Sequence, residues 1–478
     1  MLFATTPFLA PGIAWILVVI FSVLWIALGI AWGKKGDGGA DDFMLAGRNI
    51  GLSLSTATLM ASWVTGNTTL LAPEFGYRNG LWGMFSYALA GLGLILFAPL
   101  ALRIKQLMPK GRTSGDFIRL RYGRLAWVVF MVITAFYTLG FLMTQAMGAG
   151  ILLEALSGFD YRLGMLVVIG VSTIYTLYGG MRAVIGTDFI QSLLIMGLLV
   201  LVAVLAFRQF PIDLVHSRLV DSHPERLDLL LPAGLLIAWN GALLSMGEVF
   251  HNNIWWSRVF ASRQSVVIPS FVLGGLAWMS VPLVTGSIGL VALARNLELE
   301  QVNMVFPVMA ADLLGAGGAA LVFVVVFASL TSTLDSLLAS TADLLAEDVF
   351  LGLIKPTATD AQLKLATRGI VIGLAIATLA LSWPRLDSLR SVLFFTGALV
   401  ASTIWPVACG LYWRSANRYG AIAAMVTGSA AGIMAYVLIA DYSAAIFSAA
   451  VSAAVMAGWS LLKPESYAWT QLNEEVTA

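Results

Sequence analysis

The chain has little of what a soluble enzyme needs. Only 11% of its 478 residues are charged, and it holds one cysteine, Cys409, and three histidines. A single cysteine excludes a disulfide framework and a thiolate metal cluster. The net charge of +1 offers no basic surface to a nucleic acid. Because no nucleophile and base stand at a recognisable spacing, we do not expect catalytic activity.

Apolar residues are abundant. They make up 59% of the chain, the mean hydropathy is +0.89, and apolar runs of about 20 residues recur. The first run follows MLFATTPFLAPG, which has neither a basic start nor a cleavage site of small residues, so we expect it to remain as a span. The pattern predicts an all-α polytopic membrane protein with thirteen spans, near 12–33, 51–77, 80–104, 125–156, 162–180, 188–207, 231–254, 266–294, 317–348, 367–384, 388–413, 420–440 and 443–462.

The lysines and arginines predict the orientation. An odd number of spans puts the termini on opposite sides, and most of the 27 basic residues fall in inner segments if the N-terminus is external. Arg258 counts among these inner residues. We therefore expect a multi-pass protein of the cell membrane with a cytoplasmic C-terminus.

Two predicted spans contain polar and glycine residues at their centres. The second reads GLSLSTATLMASWVTGNTTLLAPEFGY, and the seventh reads LPAGLLIAWNGALLSMGEVFHNNIWWSR. Without the first span, these are helices one and six of a ten-helix core. Interrupted helices in corresponding places of two halves indicate a transporter site near the middle of the membrane. Opened backbone there is tolerated only where it lines a cavity.

A helix rich in hydroxyl groups is predicted at 327–350, FASLTSTLDSLLASTADLLAEDVF. At about 100° per residue, its polar side chains share an arc of about 100°; these are Ser329, Ser332, Thr333, Ser336, Ser340 and Asp343. Such a stripe suits a small hard cation that prefers oxygen ligands. Alternatively, the small residues serve close packing, and each hydroxyl bonds to its own helix.

Seven segments in order resemble the sodium:solute symporter family. They are FMLAGRNIG, LMASWVTGNT, TSGDFIRLRYGR, YGGMRAVIGTDFIQ, WWSRVFASR, the hydroxyl-rich helix and PVACGLYWRSANRYGA. The resemblance implies an inverted five-plus-five helix repeat with one leading and two trailing helices. It divides the chain into 1–50, a first repeat at 51–207, an external loop at 208–230, a second repeat at 231–413, and trailing helices with a short tail at 414–478. The segments GEVFHNNIWWSRVFASR and APEFGYRNGLWGMF are most similar to the urea/sodium branch.

The resemblance also implies ion ligands. The family's common sodium site corresponds to the carbonyls of Ala57, Met60 and Ser329 and the hydroxyls of Ser332 and Thr333. A second cation site is a hypothesis for Asp188, Asp335 and Ser336, since a buried acid requires a partner or a function. The alternative is that Asp188 caps a helix beginning at Phe189 and that Asp335 pairs with Arg182.

The solute is expected between the broken helices. Candidates for binding it are Trp63, Thr65, Asn67, Ser245, Glu248, His251, Asn252 and Thr396. An ionised Glu248 only accepts hydrogen bonds, which favours a solute rich in N–H donors, with urea first. An amino acid such as proline is the alternative, and a sensor module acting with a separate signalling partner is the alternative of another class. No obligatory protein partner is evident. His251 and Asn252 could instead hold the break open.

Overall fold

A computed structural model describes residues 9–34, 39–230, 232–299, 302–385 and 389–474, and within that part the chain is helical and has no strand. The α-helices are α1 Pro11–Gly33, α2 Ala40–Leu45, α3 Leu52–Trp63, α4 Gly66–Ala88, α5 Leu92–Leu107, α6 Ser114–Tyr122, α7 Arg124–Ser157, α8 Tyr161–Gln209, α9 Ile212–Ser222, α10 Pro232–His251, α11 Asn253–Ala261, α12 Val267–Ala294, α13 Val305–Leu345, α14 Asp360–Ser382, α15 Leu389–Val400, α16 Ile404–Tyr412, α17 Arg418–Leu438, α18 Ala444–Leu462 and α19 Gln471–Glu474. A π-helix, Ala346–Ile354, continues α13.

The exposed surface of the helices is apolar. On α1, for example, Ile16, Val19 and Val23 are all more than half exposed. In lipid every backbone polar group must be satisfied within the segment, which helices achieve. The hydroxyl-rich helix α13 differs, because its polar second half is almost wholly buried among α3, α7, α8 and α11. It is a central element of the protein, and its polar face meets protein.

Ten helices of the described residues are long and apolar enough to cross a membrane, so the expected count of thirteen spans is not confirmed. One reason is that the apolar runs merge: Thr68–Leu107 and Tyr161–Gln209 hold 40 and 49 residues, where about 20 suffice. Each contains a glycine with positive φ, Gly80 at 65° and Gly180 at 54°. A side chain at Gly80 would also meet the carbonyl oxygen of Arg226 at 2.0 Å.

The first predicted interruption is confirmed, and its cause is local. After α3 ends, Val64 and Thr65 leave helical geometry, with ψ angles of 89° and 166°. Thr65 then caps α4, since its hydroxyl accepts the Thr68 amide at 3.2 Å and the Thr68 hydroxyl accepts the Thr65 amide at 3.2 Å. This reciprocal capping box starts a new helix where a continuous one would otherwise run.

The second interruption lies further along than the glycines and serines suggest. Helix α10 continues through Asn240 and Glu248, and the break comes at Asn252, where ψ is 130°. The Asn252 side chain accepts the Ile254 amide at 3.0 Å and so caps α11. Polar residues inside a span therefore do not locate its break, whereas a capping residue does.

Candidate functional site

The hydroxyl of Thr333 on α13 reaches the broken end of α3. Its oxygen lies 3.1 Å from the carbonyl oxygen of Ser329, 3.4 Å from that of Val64 and 3.5 Å from that of Ser62. One hydroxyl proton cannot serve three acceptors, so this buried spot has more oxygen lone pairs than donors. Such a surplus of oxygens is what a hard cation requires.

The other predicted sodium ligands lie on the same two helices. Ala57 and Met60 are buried in the last two turns of α3, and the Met60 carbonyl accepts the Val64 amide at 3.0 Å. Ser332 donates its hydroxyl to Asp188, so it is committed to that carboxylate. The Ser329 hydroxyl bonds back to Val325 at 2.8 Å, which leaves its carbonyl as the relevant group.

Arg258 is a buried residue that the sequence interpretation placed in an inner segment. It lies on α11, is 1% exposed, and its Nη2 is 3.5 Å from Oδ2 of Asp188. The same nitrogen donates to the hydroxyls of Ser62 at 2.8 Å and Ser336 at 2.7 Å. Nε donates to Thr58 at 3.2 Å. One guanidinium therefore joins α3, α8, α11 and α13 around an ion pair.

Asp188 is fully enclosed by donors. Besides Arg258, it accepts hydroxyl hydrogen bonds from Thr58 at 2.6 Å, from Ser62 at 3.3 Å and from Ser332. The alternative that Asp188 caps a helix is wrong, because α8 runs without interruption through this position.

Asp335 has a different environment. It accepts the hydroxyl of Tyr175, and its Oδ1 has no partner among the described residues. Its predicted alternative partner, Arg182, instead bonds Asp42, with Nε 3.0 Å from Oδ1. That pairing is therefore wrong. Ser336, the third member of the hypothetical second cation site, bonds Arg258.

A cavity lies between the two broken helices. It has an empty volume of about 860 Å³, its open mouth included. Four of the predicted solute residues line it, namely Trp63, Thr65, Ser245 and Glu248. Seven aromatic residues that were not among the predicted ones also line it; they are Phe75, Tyr87, Tyr137, Phe141, Trp255, Trp278 and Phe394.

Glu248 is the one acidic residue of that wall, which among its described residues holds no lysine or arginine. Its Oε1 accepts the Asn252 amide at 3.1 Å, and its Oε2 accepts the Trp255 indole at 2.9 Å. The Tyr137 hydroxyl bonds it as well. All three partners are neutral. Trp255 is 2% exposed, and its indole lies against this carboxyl group.

Three predicted solute residues do not line the cavity. The His251 ring bonds Thr134 through Nε2 at 2.9 Å and packs on Phe130 at 4.2 Å. Asn252 caps α11 and supports Glu248. The Thr396 hydroxyl donates to the carbonyl of its own helix at 2.9 Å. For Asn67, the side chain lies outside the described part of the structure.

Comparison with known proteins identifies relatives of the whole chain. The sequence model of the sodium:solute symporter family matches residues 43–428. The urea-proton symporter DUR3 of Oryza sativa is 26% identical over 91% of this chain and 68% of its own length. The urea active transporter of Saccharomyces cerevisiae is 25% identical over 84% of this chain and 59% of its own, so the chain spans about three fifths of that relative.

Relatives with other solutes match as well. The sodium/proline symporter 2 of Staphylococcus saprophyticus is 25% identical over 87% of this chain and 84% of its own length. The structure of a Na+-coupled sialic acid symporter in its substrate-bound outward-open state superposes with a TM-score of 0.80, at 16% identity, over 95% of this chain and 99% of its own. At that identity the superposition establishes the fold and leaves the solute open.

Proposed function

Because the chain belongs to the sodium:solute symporter family, we propose that it is a sodium-coupled symporter that imports a small solute rich in N–H donors, with urea as the first choice. The observation that supports sodium coupling best is the crowding of carbonyl oxygens around Thr333 at the broken end of α3. A cation bound there would tie α3 to α13, so its arrival and departure would couple to their relative movement.

The proposed sodium ligands are those that the resemblance implies. They are the carbonyls of Ala57, Met60 and Ser329 and the hydroxyls of Ser332 and Thr333. Five neutral oxygens are a reasonable set for a monovalent cation, since hard cations take about five or six oxygen ligands. The commitment of Ser332 to Asp188 implies that Asp188 stabilises the sodium indirectly, by holding that hydroxyl oxygen in place.

We propose one sodium ion rather than two. The hypothetical second site at Asp188, Asp335 and Ser336 already receives a positive charge, because Arg258 pairs with Asp188 and bonds Ser336. Arg258 balances the charge of Asp188, so a second cation would have only the carboxylate of Asp335 to attract it and would lie close to a guanidinium. The sodium dependence of transport should therefore follow a Hill coefficient near 1, and a coefficient near 2 would contradict this part of the proposal.

One sodium ion is energetically sufficient for accumulation. A tenfold inward gradient supplies about 1.4 kcal/mol, and a potential of 100 mV supplies about 2.3 kcal/mol. Together they support solute accumulation of about 500-fold. Proton coupling is the alternative that the name of the rice relative suggests. It would need no oxygen cluster at Thr333.

Proline is the alternative solute, since proline symporters align over most of their length. Its carboxylate would enter a cavity that already holds Glu248 and whose described wall offers no basic side chain. This electrostatic mismatch favours N–H-rich solutes.

The sensor alternative predicts binding without transport.

Uptake into proteoliposomes tests the proposal. We expect labelled urea or a related N–H-rich solute to enter against its gradient when sodium is placed outside. Replacing sodium by potassium should abolish uptake, and a proton gradient alone should not restore it. Binding without uptake would support the sensor instead. Uptake driven by protons in the absence of sodium would contradict sodium coupling.

A further inference from the structure

Four hydrogen-bond donors of the cavity wall are already in use. The Trp255 indole donates to Glu248 at 2.9 Å, and the Trp278 indole donates to the carbonyl of Trp63 at 2.7 Å. Ser86 donates its hydroxyl to Gly83 at 3.1 Å, and Ser245 donates its own to Ala90. A solute carbonyl would therefore compete with the protein for each of these protons. These four donors are thus engaged by the protein, whereas the carboxyl group of Glu248 offers acceptor oxygens to a solute.

Two of the partners of Glu248, Asn252 and Trp255, suit its carboxylate form. Indole and amide N–H groups donate and cannot accept, and one of them binds each carboxylate oxygen. A protonated acid would need an acceptor, and of the three partners only the Tyr137 hydroxyl could provide one. Among the described residues, no arginine or lysine pairs with Glu248, in contrast to Asp188. When it is ionised, Glu248 is therefore a buried negative charge without a counter-charge among the described residues, and a bound cation would supply that counter-charge.

The aromatic walls add a second preference for positive charge. Trp63 lies between Trp255 and Trp278, with ring centroids 4.6 Å and 5.6 Å away, and Tyr87 stacks on Trp278 at 6.1 Å. Rings of this kind attract a cation placed over their faces, most strongly when it is desolvated. Their area also suits the apolar part of a solute larger than urea.

We propose that this cavity selects an organic cation whose polar hydrogens are all donors, of the guanidinium or alkylammonium class, over neutral urea. Urea carries four N–H donors but also a carbonyl oxygen that must find donors here. A guanidinium has the same planar shape as urea and carries only donors. Its positive charge would also be the counter-charge for Glu248. The inference rests on the proposed function in placing the solute in this cavity, and it replaces urea as the preferred member of the N–H-rich class.

A matched pair of ligands tests the selection without any mutation. Methylguanidinium and N-methylurea have nearly the same shape and differ in charge and in the carbonyl oxygen. With purified protein in sodium-containing buffer at fixed ionic strength, thermal shifts should give a dissociation constant about 10- to 100-fold lower for methylguanidinium. Equal affinities for the two ligands, or tighter binding of N-methylurea, would overturn the proposal. So would a failure of all three test cations to bind, namely methylguanidinium, ethylammonium and benzylammonium.

The variant Glu248→Gln should reverse this preference, because the amide is neutral and supplies a donor to a carbonyl. We expect methylguanidinium to lose about 10- to 100-fold in affinity while N-methylurea binds equally or more tightly. Glu154→Gln is the matched control, since Glu154 pairs with Arg385 at an exposed site, and it should change neither. Loss of both ligands in a Glu248→Gln protein that keeps its thermal stability would contradict the role of charge.

The outcomes separate the two proposals. If cations bind and enter vesicles without sodium, the inference on the solute stands and sodium coupling fails. If urea is taken up with sodium while methylguanidinium neither binds nor competes, sodium symport stands and the inference fails.

Discussion

Two buried acidic residues, Asp188 and Glu248, differ in the partners that the fold gives them. Both are nearly inaccessible and both accept several hydrogen bonds. Asp188 has the guanidinium of Arg258 at 3.5 Å. Among the described residues, Glu248 has neutral donors alone, and it faces a cavity. A buried carboxylate with a protein counter-charge contributes to structure, whereas a carboxyl group that faces a cavity without such a counter-charge is a candidate for binding a ligand.

The hydroxyl groups of α13 also differ in their partners. Ser332 and Ser336 lie one turn apart, and both bond members of the Asp188–Arg258 ion pair. Thr333 lies beside the opened backbone of α3 and away from that pair. Ser336 is thus part of the network that joins the helices, Thr333 lies at the oxygen cluster where sodium is proposed to bind, and Ser332 bonds the network and belongs to the proposed ligand set.

The largest expected effect is on Arg258. Arg258→Gln should cost about 3–5 kcal/mol in the free energy of unfolding, because it leaves Asp188 buried without a counter-charge. Adding Asp188→Asn should recover much of that loss. Thermal unfolding in detergent measures both. Arg263→Gln is the control, since Arg263 bonds Asn49 at an exposed position. A double variant no more stable than the single one would contradict the ion-pair interpretation.

The next effect concerns sodium. Thr333→Ala removes one of the five proposed ligand oxygens and should raise the sodium concentration for half-maximal stabilisation about tenfold, or about 1.4 kcal/mol. Thr331→Val on the same helix is the matched control, because the Thr331 hydroxyl bonds its own helix and Gln191. Equal sodium dependence in both variants would place the ion elsewhere.

Glu248 should matter less to stability than Arg258. Glu248→Gln keeps the size of the side chain and leaves no basic residue unpaired, so we expect the free energy of unfolding to change by about 1 kcal/mol, the value of one ordinary hydrogen bond. The same thermal assay, without solute, measures it. A loss as large as that of Arg258→Gln would show that Glu248 has a structural counter-charge.

The smallest effect on stability is expected at the partly exposed ion pair of Asp41 and Arg48. It gives a baseline for the effects at buried groups. Burial raises the pKa of Asp41, but the hydrogen bond and charge of Arg48 outweigh it and lower the pKa overall. Asp41 is 41% exposed, so Asp41→Asn should cost less than about 1 kcal/mol. Because the pKa of Asp41 is lower in the folded protein than in the unfolded chain, its ion pair stabilises the fold fully at pH values above the unfolded pKa. The difference from wild type should vanish as the pH falls through the folded pKa.

Much of the architecture was predictable, because it depends on local rules. Apolar length predicts helices that cross a membrane, and the 100° periodicity of α13 predicts that its hydroxyls share a face. The capping residues Thr65 and Asn252 lie at the two breaks. The count of spans was not confirmed, since a hydropathy window cannot tell a bent helix of 49 residues from two shorter ones.

The partners of the buried charges could not be predicted. Arg258 meets Ser62 and Asp188, which are 196 and 70 positions away, and only helix packing decides such contacts. The same holds for Glu248: its sequence neighbours do not reveal that it faces aromatic rings and no basic residue. Sequence alone determined which polar groups enter the membrane, because their types and spacing are local properties. Tertiary structure decided which of them are neutralised and which stay available to a ligand, because charge compensation depends on distance in space.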